Sequence, residues 1–127
     1  MADGCLVFFR PGACDLDAAA KALAGYGLTV TRRGNELTAG RLGSPQFHIV
    51  LSEAPHVAAE AAEVGEGTPH AAAMRKCGAR FEISIDDLEA ALDEINTLME
   101  VQGALQDASQ GFLFLPWNGN LSEPWRE

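Results

Sequence analysis

Apolar and polar positions alternate along this chain with two different periods, and the switches between them outline the elements. Leu6 to Phe9 is continuously apolar and built of strand-forming residues, which predicts a central strand over 4–10, ended by Pro11-Gly12. Asp15 then fits a helix N-cap, and Leu16, Ala19, Ala20 and Leu23 recur at helical spacing up to Gly25 or Gly27. Residues 28–33 alternate as a half-exposed strand. Gly34-Asn35 is a two-residue hairpin signal, and 36–41 is the return strand. In a further strand over 46–51, Phe47, Ile49 and Leu51 share one face and His48 lies on the other.

The alanine-rich stretch 56–64 predicts a helix, broken by Gly65-Glu66-Gly67. Thr68 as N-cap, Pro69 at the first position, Arg75 and Lys76 in the last turn and Gly78 just beyond predict a second helix over 69–77. A strand over 80–85 points Phe81, Ile83 and Ile85 inward. Asp86, with Glu89 three residues on, then opens the strongest helix, whose apolar stripe is Leu88, Leu92, Ile95, Met99 and Leu105. Gly103 ends or kinks it. A last strand over 111–115 stops at Pro116, and 117–127 is turn-rich.

The resulting order, β-α-β-β-β-α-α-β-α-β, predicts a single α+β domain over 1–127. A ferredoxin-like or related sandwich is expected, with a mostly antiparallel sheet of about five strands and helices packed on one face.

Charge changes this picture most. The net charge is −9, yet residues 1–80 carry eight basic and eight acidic side chains and sum to zero. Residues 81–125 carry nine acids and no base. Direct binding of nucleic acid or an anionic membrane through that region is disfavoured, because like charges repel, and a basic partner is favoured. The run Cys5–Phe9 is too short for a membrane span and lacks the flanks of a signal peptide, so the cytoplasm is the expected compartment. Cys5, Cys14 and Cys77 form no CxxC pair and read as free thiols.

The acidic residues concentrate on one helix, as Asp86, Asp87, Glu89, Asp93, Glu94 and Glu100. The helix dipole accounts for the first three. Asp93 and Glu100 have no Lys or Arg four positions on, so the sequence offers them no local countercharge. A solvated face is the plain reading; an electronegative docking surface that steers a basic protein is the functional one. Trp117 and Trp125 in the tail either cover the core edge or anchor such a partner.

No cofactor or metal is expected. His48, His56 and His70 are scattered and have no short zinc-ligand spacing with any cysteine. Cys14 sits at a helix start that lowers a thiol pKa, beside Asp15 and Asp17 that raise it. The turn from Gly65 to His70 opens a helix and offers an alternative, a small-ligand or enzymatic pocket using Thr68 and His70 with His48 or Cys14. No sequence motif assembles a nucleophile, a base and an orienting group.

The run from Phe81 to Gly119, FEISIDDLEAALDEINTLMEVQGALQDASQGFLFLPWNG, resembles the C-terminal end of small uncharacterised bacterial α+β proteins. In size, acidity and helix-strand ending it is similar to some immunity proteins of bacterial toxin systems. The resemblance implies no catalytic residues. Together with the one-sided charge it leads to the expectation of a non-enzymatic inhibitor that sequesters a basic effector such as a nuclease toxin. A homo-oligomeric structural module is the third reading.

Overall fold

The chain runs β1 (Gly4–Phe9), α1 (Leu16–Gly25), β2 (Thr29–Arg33), β3 (Glu36–Gly40) and β4 (Phe47–Ser52). It continues with α2 (Pro55–Gly65), α3 (Ala71–Met74), β5 (Ala79–Ile85), α4 (Leu88–Asp93), α5 (Ile95–Ser109), β6 (Phe112–Leu115) and β7 (Asn120–Ser122). This is a computed structural model, and it describes residues 4–41, 46–85, 88–93, 95–115 and 119–123.

Seven strands form one sheet in the order β2-β3-β4-β5-β1-β6-β7, and every neighbouring pair is antiparallel. The expectation of about five strands was too low. The turn-rich tail supplies β7, which pairs Leu121 with Phe114. The hairpin forms where expected, with Arg33 opposite Glu36 and Gly34 at a φ of 58°, a conformation that favours glycine. Alternating directions make β5 and β6 parallel with β1 between them, and make β1 parallel to β2 with three strands between.

The helices pack on both faces of the sheet, not on one. Along β1 the side chains alternate: Cys5, Val7 and Phe9 join one buried cluster, whereas Phe8 joins another together with Leu6. The first cluster is closed by Leu16, Ala19 and Leu23 of α1 and by Leu98, Val101, Ala104 and Leu105 of α5. The second is closed by Val57 and Ala61 of α2, Met74 of α3, and Cys77. A strand that is apolar at consecutive positions needs cover on both sides, and β1 has it.

The second layer is only partial. α2 and α3 lie over β1, β6 and part of β5. Over β2 to β4 the same face carries Thr29, Thr31 and Arg33, which are exposed, and Thr38 and His48, which are half-buried. At the boundary sits Arg80, 7% exposed, bonded to Glu60 of α2 and to Glu82 beside it. Its guanidinium carbon is 5.7 Å from the centre of the Phe8 ring. Burial disfavours the charge, but the two carboxylate bonds outweigh it and raise the Arg80 pKa.

The α2–α3 corner depends on Gly65. A Cβ there would come 2.5 Å from the Cβ of Met74, so only glycine lets the end of α2 rest on α3. Within α5 the buried stripe is Leu98, Val101, Gln102 and Leu105 rather than one through Met99, which is 56% exposed. Among the described residues no helix is long and apolar enough to cross a membrane.

Candidate functional site

Asp86, Asp87, Glu94, Trp117 and Trp125 lie outside the described residues. The other three acids of the expected face divide. Glu89 on α4 and Asp93 at its end are exposed and, among the described residues, bonded to no basic side chain. Glu100 on α5 is half-buried, and Nη2 of Arg41 donates to both its carboxylate oxygens, at 2.6 and 2.7 Å. Glu100 therefore has a countercharge, supplied from just beyond β3 and not from its own helix. Two turns further on, Asp107 accepts a hydrogen bond from the Tyr26 hydroxyl at 3.3 Å. Partial burial and the negative charge of Asp107 together raise the Tyr26 pKa. The unengaged part of the acidic surface is thus Glu89 and Asp93, continued on α5 by exposed Asn96 and Met99.

The residues expected around the Gly65–His70 turn do not converge. Thr68 is not the cap of a helix over 69–77, because α3 begins only at Ala71, with His70 before it. Its hydroxyl donates to the Gly65 carbonyl at 2.7 Å and accepts from the His70 amide at 3.1 Å, so it braces the turn itself. His48 lies on β4, on the open part of the sheet, with Nδ1 3.4 Å from the Thr38 hydroxyl and 3.3 Å from a Glu36 carboxylate oxygen. Cys14 is buried in the core on the α1 side, where desolvation and then Asp15 push its thiol pKa up. Asp15 does cap α1, accepting from the Ala18 amide at 2.8 Å.

Of these residues, His70 lines a cleft at the end of β1. The cleft has a volume of about 350 Å3 and opens where β1 ends, between α3 and the C-terminal end of α5. Arg10 stands on one wall, just past the last residue of β1. His70, Ala73 and Cys77 form the second wall, and Ser109, Gln110, Phe112 and Glu123 the third. The His70 and Phe112 rings pack with centroids 5.1 Å apart and planes tilted by 45°. The Arg10 side chain is exposed and makes no ion pair or hydrogen bond among the described residues. The Cys77 thiol is held above its ordinary range, since burial outweighs the positive charge of Arg10.

Two features of the α5 terminus shape this cleft. Gln110, at φ 53°, is the one non-glycine residue among the described residues in the left-handed region, and the Gly111 amide bonds back to the Gln106 carbonyl at 3.3 Å. The buried Gln106 amide lies 3.3 Å from the carbonyl oxygens of Gly111, Ser122 and Glu123. Its two N–H groups are shared among the three, which ties the end of β7 to α5 and delivers Glu123 to the cleft. Sequence periodicity had no means of finding Arg10 or Glu123. Arg10 reads as an ordinary charge at a strand end and Glu123 as one in a turn-rich tail, and only the pairing of β6 with β1 and β7 brings the two to one opening.

Among the described residues no group of three or more His, Cys, Asp or Glu side chains is placed to hold a metal ion. In comparisons with known proteins, no family model, no curated protein and no solved structure matches the chain.

Proposed function

We propose that this chain is a non-enzymatic protein-binding domain that captures a basic partner through the outer surface of α4 and α5. The observation that carries this reading is Met99. It is 56% exposed on a helix whose opposite side is buried, and it lies in the part of the chain that holds all of the net negative charge. Methionine adapts to irregular partner surfaces, and flanking carboxylates steer a basic partner into contact. The surface is smaller than six carboxylates, because Arg41 neutralises Glu100. Glu89 and Asp93 supply the steering charge and Met99 the apolar anchor. Occlusion of a basic effector, in the manner of an immunity protein, is the mechanism that fits this chemistry best.

The test compares the wild-type chain with a Glu89→Lys, Asp93→Lys, Met99→Ala variant as bait in a native lysate at low salt. All three positions are exposed, so the variant should fold; lysine at Glu89 in the first turn of α4 lowers its stability by about 0.3–1 kcal/mol, and circular dichroism establishes that the fold is intact. The expected result is a basic protein retained by the wild type, released by added salt and lost from the variant. Equal retention by both baits would refute the surface, and retention of no basic protein would refute the partner class.

A further inference from the structure

The cleft between Arg10 and Glu123 has no role in that surface. Three of its properties define what it accepts. Its volume of about 350 Å3 accommodates roughly a dozen non-hydrogen atoms, at the lower end of the range for ligand pockets. Its lining carries one permanent cation, Arg10, and one carboxylate, Glu123, and neither makes an ion pair with the other or with any described residue. The rest of the lining is mixed: Ser109, Gln110 and Cys77 are polar, whereas the tilted His70–Phe112 ring pair with Ala13 and Ala73 offers a patch suited to a small aliphatic or aromatic group.

An isolated guanidinium is a fork for a carboxylate, and a carboxylate on the same opening is an acceptor for an ammonium group. We propose that the cleft binds a small zwitterion of the amino-acid type. Arg10 holds the carboxylate, Glu123 holds the ammonium, and the side chain lies against Phe112 and His70. Gln106 acts as a positioning residue, since its amide fixes the backbone of Ser122 and Glu123 beside the cleft. A ligand with only one of the two charges leaves either Arg10 or Glu123 without its ion-pair partner, which is the physical basis of discrimination here.

Titration calorimetry on the full chain tests this with L-leucine and L-phenylalanine as probes, and with 3-phenylpropanoate and phenethylamine as single-charge analogues. Binding of at least one amino acid is expected, with each single-charge analogue about tenfold weaker than L-phenylalanine. Arg10→Ala should weaken the amino acid about tenfold or more, whereas Glu123→Gln should remove its advantage over 3-phenylpropanoate. Both side chains are exposed, and circular dichroism on each variant establishes that the fold is intact. The proposal is overturned if neither amino acid binds at about 10 mM, if 3-phenylpropanoate binds as well as L-phenylalanine, or if folded Arg10→Ala keeps the wild-type affinity.

Discussion

Arg41, just past the end of β3, and Glu100, in the middle of α5, meet through two hydrogen bonds from a single nitrogen, at 2.6 and 2.7 Å. The same Arg41 nitrogen also donates to the Tyr26 carbonyl at 3.3 Å, so one guanidinium links α5 to the end of α1 and to the sheet. Both side chains are partly exposed, so solvent screens the pair.

Removing this link should have two opposite effects. Arg41→Ala is expected to lower stability by about 1 kcal/mol, the upper end for a solvent-screened pair. It also releases Glu100 as an uncompensated carboxylate, so association with a basic partner should become faster at low salt. Urea denaturation reads the first effect and stopped-flow binding the second.

Cover on both faces of β1 is tested by two adjacent phenylalanines. Phe9 points to the α1–α5 side and Phe8 to the α2–α3 side, and both are fully buried. Phe8→Ala and Phe9→Ala should each cost about 3–5 kcal/mol in urea denaturation. If helices covered one face only, one of the two would be nearly neutral.

The thiol of Cys5 sets a limit at high pH. Burial pushes its pKa up to about 12 from an ordinary 9.0, against a weak opposing hydrogen bond from Gln102. The folded state therefore holds a proton that the unfolded state has released. The stability this represents is fully present below pH 9.0 and is lost as pH rises toward 12. By pH 10.5 the loss should reach about 2 kcal/mol, with Cys77 and Cys14 acting in the same direction. Denaturation curves at successive pH values should fall less steeply for Cys5→Ala than for the wild type.

At the end of α5, Gln110 occupies a left-handed conformation that glycine adopts without strain. Gln110→Gly should stabilise the chain by about 0.5 kcal/mol, because relief of strain exceeds the added freedom of the unfolded chain. Thermal melting checks the sign.

Most of the elements were legible because each carries its own period. The 34–35 hairpin turn, the Asp15 cap and the strand over 80–85 follow from local chemistry, and all three are present. Strand order and the two-sided helix cover were not, since amphipathic periodicity says that a helix has a buried side but not which surface receives it. One clue was available: four consecutive apolar residues from Leu6 to Phe9 and again from Phe112 to Leu115 leave no solvent side to either strand. The long acidic helix misled in a different way. A stripe drawn from Leu88 through Leu92 and Ile95 leads to Met99, whereas α5 turns Leu98, Val101 and Leu105 inward and Met99 out. Of the candidate site, His70 was legible beside its turn; Arg10 and Glu123 were not, because what unites them is tertiary.

The position of β1 also governs when the protein can fold. Val7 finds its partners in Phe81 and Leu113, so this interior strand precedes both of its neighbours by most of the chain. Within this sheet Leu-Val-Phe-Phe of β1 is made before either of its partner strands and stays without them until the residues of β5 and β6 have been made. Helices α1 and α2 and the β2–β3 hairpin can form early from local contacts, but the sheet closes last around its oldest segment. Such a topology folds slowly for its length and passes through states with an exposed, aggregation-prone edge. Burial of β1 on both edges therefore waits on segments far downstream of it.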